Sequence, residues 1–262
     1  SLAESSFDTW IRFYRPDENS GNSQISYYHK GALVGLLLDL EIRRATGGSR
    51  SLDDVMRELW ERYGAREVGY PEGGAEAVAE EVSGVELGWF FDRYVRSVEE
   101  LEYEGGLGPV GLRLVSGRPA DPREGAGVAA TETSAAGSAV PDGSRVEARL
   151  GVRARDESGR VKVVSVLAGG PGRVAGLDAG DEVIALDGLK VGSVTEVAAR
   201  VGGLEAGARV EVALFRRDEL LRVEVAVGAE AEGKWRVEPV EGADEAAVAL
   251  RRGWLGEVGG AA

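Results

Sequence analysis

Ala175-Gly176-Leu177-Asp178-Ala179-Gly180-Asp181-Glu182-Val183-Ile184-Ala185-Leu186-Asp187-Gly188 is the stretch whose spacing decides the fold. Its glycines stand where the chain must turn between short strands, while Leu177 and Ile184 fall where a small core needs filling. Around it apolar residues recur with period two, at Val161-Val163, Val183 to Leu186, Val210-Val212-Leu214 and Val223-Val225-Val227. Each of these runs is a strand candidate. Two helical pieces interrupt them, one opened by Pro171 and one running from about Ser193 to Val201. Residues 145–228 therefore read as a small β-rich module.

Upstream the period changes. Phe7, Trp10, Ile11 and Tyr14 recur at three- and four-residue spacing, which predicts one face of a helix that stops at Arg15-Pro16. Asp17-Glu18-Asn19-Ser20-Gly21-Asn22-Ser23 is loop chemistry. From Ser26 to Arg44 the chain is apolar nearly all round, as a helix buried on several sides requires, and Thr46-Gly47-Gly48 ends it. Ser51 followed by Asp54 predicts a capping box at the start of a helix that turns Leu52, Val55, Met56, Leu59, Trp60 and Tyr63 inward. Two shorter helices, Ala75 to Val82 and Leu87 to Val95, follow, with Phe90, Phe91 and Tyr94 as core aromatics. Val110, Leu112 and Leu114 alternate as a closing strand. The organisation expected is a helical region over 1–115, a flexible linker over 116–144, the β-rich module over 145–228, and a tail over 229–262 with a short strand and a helix.

Composition narrows the function. A length of 262 residues with 43% apolar residues suits two ordinary domains. The net charge of −14 argues against nucleic acid or an anionic membrane as partner. No apolar run is long enough to span a bilayer. With one histidine, His29, and no cysteine, neither an HExxH helix nor a cysteine cluster can be assembled, so no metal ligand is assigned. The chain begins at Ser1 and its only methionine is Met56, so a native N-terminus is expected upstream, and compartment stays open between cytoplasm and periplasm of a bacterium.

Tyr28-x-Lys30-Gly31 at the start of a buried helix resembles the Tyr-x-Lys-Gly signature of gluzincin aminopeptidases. The surrounding runs, Phe7-Asp8-Thr9-Trp10-Ile11, Tyr14-Arg15-Pro16-Asp17-Glu18-Asn19-Ser20, Ile25 to Val34 and Ser51 to Met56, resemble the glycyl aminopeptidase family, peptidase family M61. The resemblance implies the helical C-terminal part of a gluzincin catalytic domain, multidomain α and β, followed by a PDZ domain. It implies an aminopeptidase releasing glycine or alanine, with its zinc-binding part before Ser1 and zinc in the full-length protein only. This chain alone would be inactive. Tyr28 is then the residue whose hydroxyl donates to the oxyanion, a role for which a neutral phenol is suited because it does not repel a cationic substrate amine. Tyr27 is the rival, since a helix turns its neighbour by about 100°. Asp17 and Glu18 are a solvated loop first, and a substrate-amine contact only second.

The β-rich module resembles a PDZ domain, with Arg149-Leu150-Gly151-Val152 similar to a carboxylate-binding loop. That likeness implies that backbone amides of Leu150, Gly151 and Val152 meet a terminal carboxylate and that a peptide adds as a strand beside Gly151 to Ala154. Val194, Val197 and Val201 on the following helix would meet its apolar C-terminal side chain. Gly170-Pro171-Gly172 departs from the more common Ser-Pro-Ala, which predicts a looser short helix. The competing reading is a non-catalytic PDZ adaptor on a helical scaffold, binding peptides or protein C-termini. A serine protease of the HtrA type is disfavoured because its Gly-x-Ser-x-Gly segment is lacking.

Overall fold

The computed structural model describes residues 1–115, 142–229 and 235–256. In chain order the helices are α1 (Leu2–Phe7), α2 (Ser20–Ser23), α3 (Tyr27–Thr46), α4 (Leu52–Arg62), α5 (Gly74–Ser83), α6 (Gly88–Phe91), α7 (Glu104–Leu107), α8 (Asp142–Leu150), α9 (Pro171–Ala175), α10 (Val194–Gly202) and α11 (Glu245–Leu255). The strands are β1 (Leu112–Val115), β2 (Val152–Glu157), β3 (Arg160–Val166), β4 (Glu182–Leu186), β5 (Leu189–Lys190), β6 (Arg209–Arg216), β7 (Glu219–Ala226) and β8 (Arg236–Pro239). They divide into two units. One comprises residues 1–14, 25–115 and the segment from Trp235 onward, and the other comprises 15–24 and the segment ending at Lys234. Most of the segment read as a linker, residues 116–141, lies outside the described residues.

The first unit is built around α3. Val34, Leu37, Leu38 and Ile42 of α3 pack with Val55, Val78, Leu87, Phe90 and Tyr94 in one cluster, while Leu40 joins Leu107, Val110 and Leu112 in a second. An all-round apolar helix thus serves two cores at once. Gly47 ends it in the left-handed conformation, at φ 62°, as a glycine after the last apolar turn allows. The box at α4 is present: the Ser51 amide donates to Asp54 Oδ2 at 2.8 Å and the Ser51 hydroxyl donates to the same oxygen at 3.1 Å. Phe90 and Tyr94 are core, as expected, and α6 continues into a π-helical turn over Asp92–Arg96.

Three features of this unit differ from expectation. On α4, Met56 and Trp60 are exposed rather than inward, because the core-facing stripe is filled by Leu52, Val55, Leu59 and Tyr63. The tail does not stand apart, because β8 pairs antiparallel with β1, Leu112 facing Pro239 and Val115 facing Arg236, and α11 contributes Leu250 and Trp254 to the same cluster. The first helix also stops early. α1 ends at Phe7, and residues 8–14 turn irregularly, with the Ile11 and Arg12 amides both donating to Asp8 O. Phe7, Trp10 and Ile11 are 90%, 78% and 68% exposed, so the apolar face read from their spacing finds nothing in this unit to bury against.

The second unit is a twisted antiparallel sheet in the order β2-β3-β4-β6-β7, with β5 paired to β4. Three two-residue hairpins connect its strands: Ser158-Gly159, Asp187-Gly188 and Arg217-Asp218 all have positive φ at both positions, the handedness that matches the strand twist. One core joins sheet and helices, with Leu177, Val183, Val197, Ala198, Val201, Val212, Leu214 and Val225 among its buried members. Ile184 departs from the expectation by being only partly buried. Asp181 is fully buried, receives the Asp178 amide at 2.8 Å and forms two bonds with Arg216, Nε to Oδ1 at 2.7 Å and NH2 to Oδ2 at 2.8 Å. The segment 15–24 belongs to this unit. Asn22 Nδ2 donates to Val166 O at 2.8 Å, and its Oδ1 accepts from the Ala168 amide at 2.9 Å.

Candidate functional site

A cluster of tyrosines stands at the N-terminus of α3. Ser26 caps the helix, its hydroxyl accepting from the His29 amide at 3.3 Å. Tyr27 and Tyr28 occupy the first two helical positions, and side chains there lean back past the helix start. The two therefore do not diverge as the 100° turn of the helix suggests. Their rings lie 4.2 Å apart between centroids, tilted by 31°. Tyr14 meets both: its hydroxyl is 2.9 Å from that of Tyr28 and 3.4 Å from that of Tyr27. Phe13 sets its edge against all three rings, at 5.3 Å from Tyr27, 5.4 Å from Tyr14 and 6.0 Å from Tyr28.

Exposure separates the two candidates. Tyr28 is 57% exposed and Tyr27 is partly buried, so Tyr28 is the more accessible of the pair. The Tyr14 hydroxyl first, and that of Tyr27 second, hold the Tyr28 phenol below the ordinary tyrosine value, while the bond with Tyr27 first, and that with Tyr28 second, push Tyr14 above it. His29 is exposed, and Lys30 donates to Glu99 O at 3.3 Å. Nothing among the described residues explains Gly31, since a Cβ there would meet no atom within 4 Å. Asp17 is occupied within its own loop, its Oδ1 accepting from the Asn19 amide and the Ser20 hydroxyl, each at 3.0 Å. Among the described residues no group of three or more His, Asp or Glu side chains could hold a metal ion. The described residues do not supply the donor set of a zinc site.

The second candidate lies in the sheet unit. β2 is the edge strand, paired only to β3 among the described strands, and α8 leads directly into it. Leu150 and Val152 are buried, and Gly151 holds φ at 68°. The Gly151 amide continues the helix by donating to Glu147 O at 2.9 Å, and its carbonyl accepts from the Leu167 amide at 2.9 Å. Of the three loop amides expected to face a carboxylate, that of Gly151 is thus already bonded. Arg149 is buried and spends its guanidinium on backbone: Nε donates to Val201 O at 3.1 Å, NH1 to Gly228 O at 2.7 Å, and NH2 to Leu204 O. A cation on the last carbonyls of α10 is favourable both for the orphan acceptors and for the helix dipole.

On α10, Val197 and Val201 are core members and Val194 is partly buried against the same cluster. Ser193 caps the helix by accepting from the Glu196 amide at 3.2 Å, and Glu196 accepts from the Gly192 amide at 2.8 Å. Asp156 of β2 accepts from the Val194 amide at 2.7 Å, which ties the far end of β2 to the start of α10. The short helix α9 is not loosened by its glycines. A Cβ on Gly172 would lie 2.5 Å from Leu150 O and 2.9 Å from Val152 Cγ1, so glycine is what lets α9 approach the end of α8. Neither Arg149 nor Asp156 was legible as a bracket for α10, because their partners lie far away in sequence.

Residues 1–34 match the family model described as M61 glycyl aminopeptidase, and residues 148–227 match that of the PDZ domain. An aminopeptidase N family protein from Idiomarina loihiensis is similar in structure, with 28% identity, a TM-score of 0.76, and 96% of this chain and 40% of that chain covered. The chain therefore spans about 40% of that protein's length. A serine endoprotease from Yersinia pestis is 24% identical over 30% of this chain and 28% of its own, at a TM-score of 0.28. No curated protein matches the sequence.

Proposed function

From a peptidase-related chain with an M61 glycyl aminopeptidase segment at its start and a PDZ domain at 148–227, we propose the C-terminal portion of a zinc-dependent aminopeptidase. In this reading the complete protein releases glycine or alanine from peptide N-termini, and this chain supplies Tyr28 and a peptide-binding module. Zinc, when bound by residues outside this chain, would supply the activated water. The observation that carries the reading is Tyr28, an exposed tyrosine at the start of a buried helix inside the matched segment. A phenol so placed can donate its proton's hydrogen bond to an oxyanion without adding charge. The exposed Phe7, Trp10 and Ile11 support it as well, since a self-sufficient scaffold would cover such a face, which disfavours the adaptor reading.

Peptide binding is assigned to the free edge of β2, by strand addition, with Leu150, Gly151 and Val152 at its start and α10 alongside. Because Val197 and Val201 are committed to the core, Val194 is the one of the three valines left partly open to a ligand. The test of the catalytic part is Tyr28→Phe in the complete protein. Turnover should fall by roughly a hundredfold or more with zinc content unchanged, the loss typical of one oxyanion donor. Unaltered turnover would remove Tyr28 from the mechanism.

A further inference from the structure

We infer that Tyr14 is a positioning residue for Tyr28, fixing its hydroxyl so that the O–H points away from the cluster toward whatever occupies the site. The inference rests on the reading of Tyr28 as a donor and deepens it. A phenol has one proton to give, and its oxygen can accept. If Tyr28 gives its proton outward, the 2.9 Å contact with Tyr14 can only be a bond in which Tyr14 donates and Tyr28 accepts. Tyr14 has then spent its own proton on Tyr28. The two hydroxyls run in one direction, Tyr14 to Tyr28 to the ligand oxygen.

The rings make that direction stiff. Tyr27 and Tyr28 stack, Phe13 wedges its edge against all three tyrosines, and Trp10 lies 4.9 Å from Tyr14, so none of the three phenols swings freely. Donors in series polarise one another, and an accepted bond at the Tyr28 oxygen makes its O–H a stronger donor to developing negative charge. Among the described residues Tyr14, bonded to Tyr28, and Tyr27, stacked on it, are the titratable groups that act on its hydroxyl. The Tyr14 bond is the first cause that holds the Tyr28 phenol below its ordinary value, which agrees with Tyr14 as the giver in this pair.

The test is a titration of the 262-residue chain carrying 13Cζ-labelled tyrosine, followed by NMR and assigned with Tyr28→Phe. In the unaltered chain Tyr28 should titrate before Tyr14. Tyr14→Phe should move the Tyr28 titration upward toward the ordinary tyrosine value, and Tyr27→Phe should preserve the order. A Tyr28 titration untouched by Tyr14→Phe, or one that follows Tyr14, overturns the inference. In the complete protein Tyr14→Phe should lower kcat roughly two- to tenfold with KM retained, the scale of one neutral hydrogen bond. A Tyr28 titration that shifts as expected while Tyr28→Phe leaves kcat intact would keep the bond and overturn the catalytic reading beneath it.

Discussion

Replacing Arg149 by methionine isolates the one buried guanidinium that brackets the sheet unit. The methionine keeps most of the aliphatic stem, so packing against the neighbouring core is largely retained. What is lost is donation to Val201 O, Leu204 O and Gly228 O, three carbonyls at the end of α10 and just past β7. Hydrogen bonds to a charged donor contribute about 1.5–3 kcal/mol each, which gives about 4–5 kcal/mol at the lower end. Removing the guanidinium also relieves its own desolvation, which offsets part of this, so a net loss of about 3 kcal/mol is expected. At 1.4 kcal/mol per decade that is roughly a hundredfold. Fluorescence is the wrong probe, since all five tryptophans and all seven tyrosines lie in the other unit. Native-state hydrogen exchange suits the question. Amides of β6 and β7 should lose roughly a hundredfold of protection while those of α3 keep theirs. Equal protection of β6 in both proteins would show that the three carbonyls are satisfied without Arg149, and the bracket would have no energetic meaning.

Other perturbations probe separate parts of the account. Asp181→Asn leaves Arg216 without its carboxylate and should destabilise the sheet unit by about 3 kcal/mol, read as lost exchange protection in β4 and β6; an unchanged pattern would refute it. Gly172→Ala should destabilise the same unit and pull α9 away from Leu150 O, seen as amide shifts confined to α8, α9 and the start of β2; a silent spectrum would contradict the close approach. Asp218→Gly relaxes the left-handed position at φ 68° and should stabilise the β6–β7 hairpin by about 1 kcal/mol; a loss of stability would show that the aspartate is held by more than its backbone. For Asp54, burial alone would raise the carboxyl, but the bonds from Arg57 and from the Ser51 amide and hydroxyl outweigh it and leave it below the ordinary carboxylate value. A depressed folded value means the cap stabilises α4 fully above the ordinary carboxylate range and loses that effect as pH falls through the folded value. Asp54→Asn should remove this acid sensitivity from α4 amide exchange, and its persistence would assign it elsewhere.

Elements whose signal is local were readable in the sequence. The cap at Ser51, the glycine end of α3 and the turn at Asp187-Gly188 each follow from a few adjacent residues, and period two located β3, β4, β6 and β7. What escaped depends on distance. Nothing near Val110 announces that β1 will pair with Arg236–Pro239, and nothing near Asn22 announces that its amide will bond to Val166 and Ala168. The spacing of Trp10, Ile11 and Tyr14 was real periodicity without a surface to pack on, so a helix was expected where turns formed. At the tyrosine cluster the motif singles out Tyr28 as a candidate, while Tyr14 reads only as a member of a helical face, because a hydroxyl partner thirteen or fourteen positions away leaves no trace in local spacing. In the PDZ domain Val197 and Val201 read as ligand contacts because core and groove residues share one helical period, and only burial tells them apart.

Intact mass and zinc content of the natural gene product distinguish a peptidase portion from a binding protein. The account predicts a chain well above the 27.6 kDa of this sequence, carrying about one zinc per molecule. A product of 27.6 kDa with no zinc would contradict it and leave a PDZ-bearing binding protein in its place.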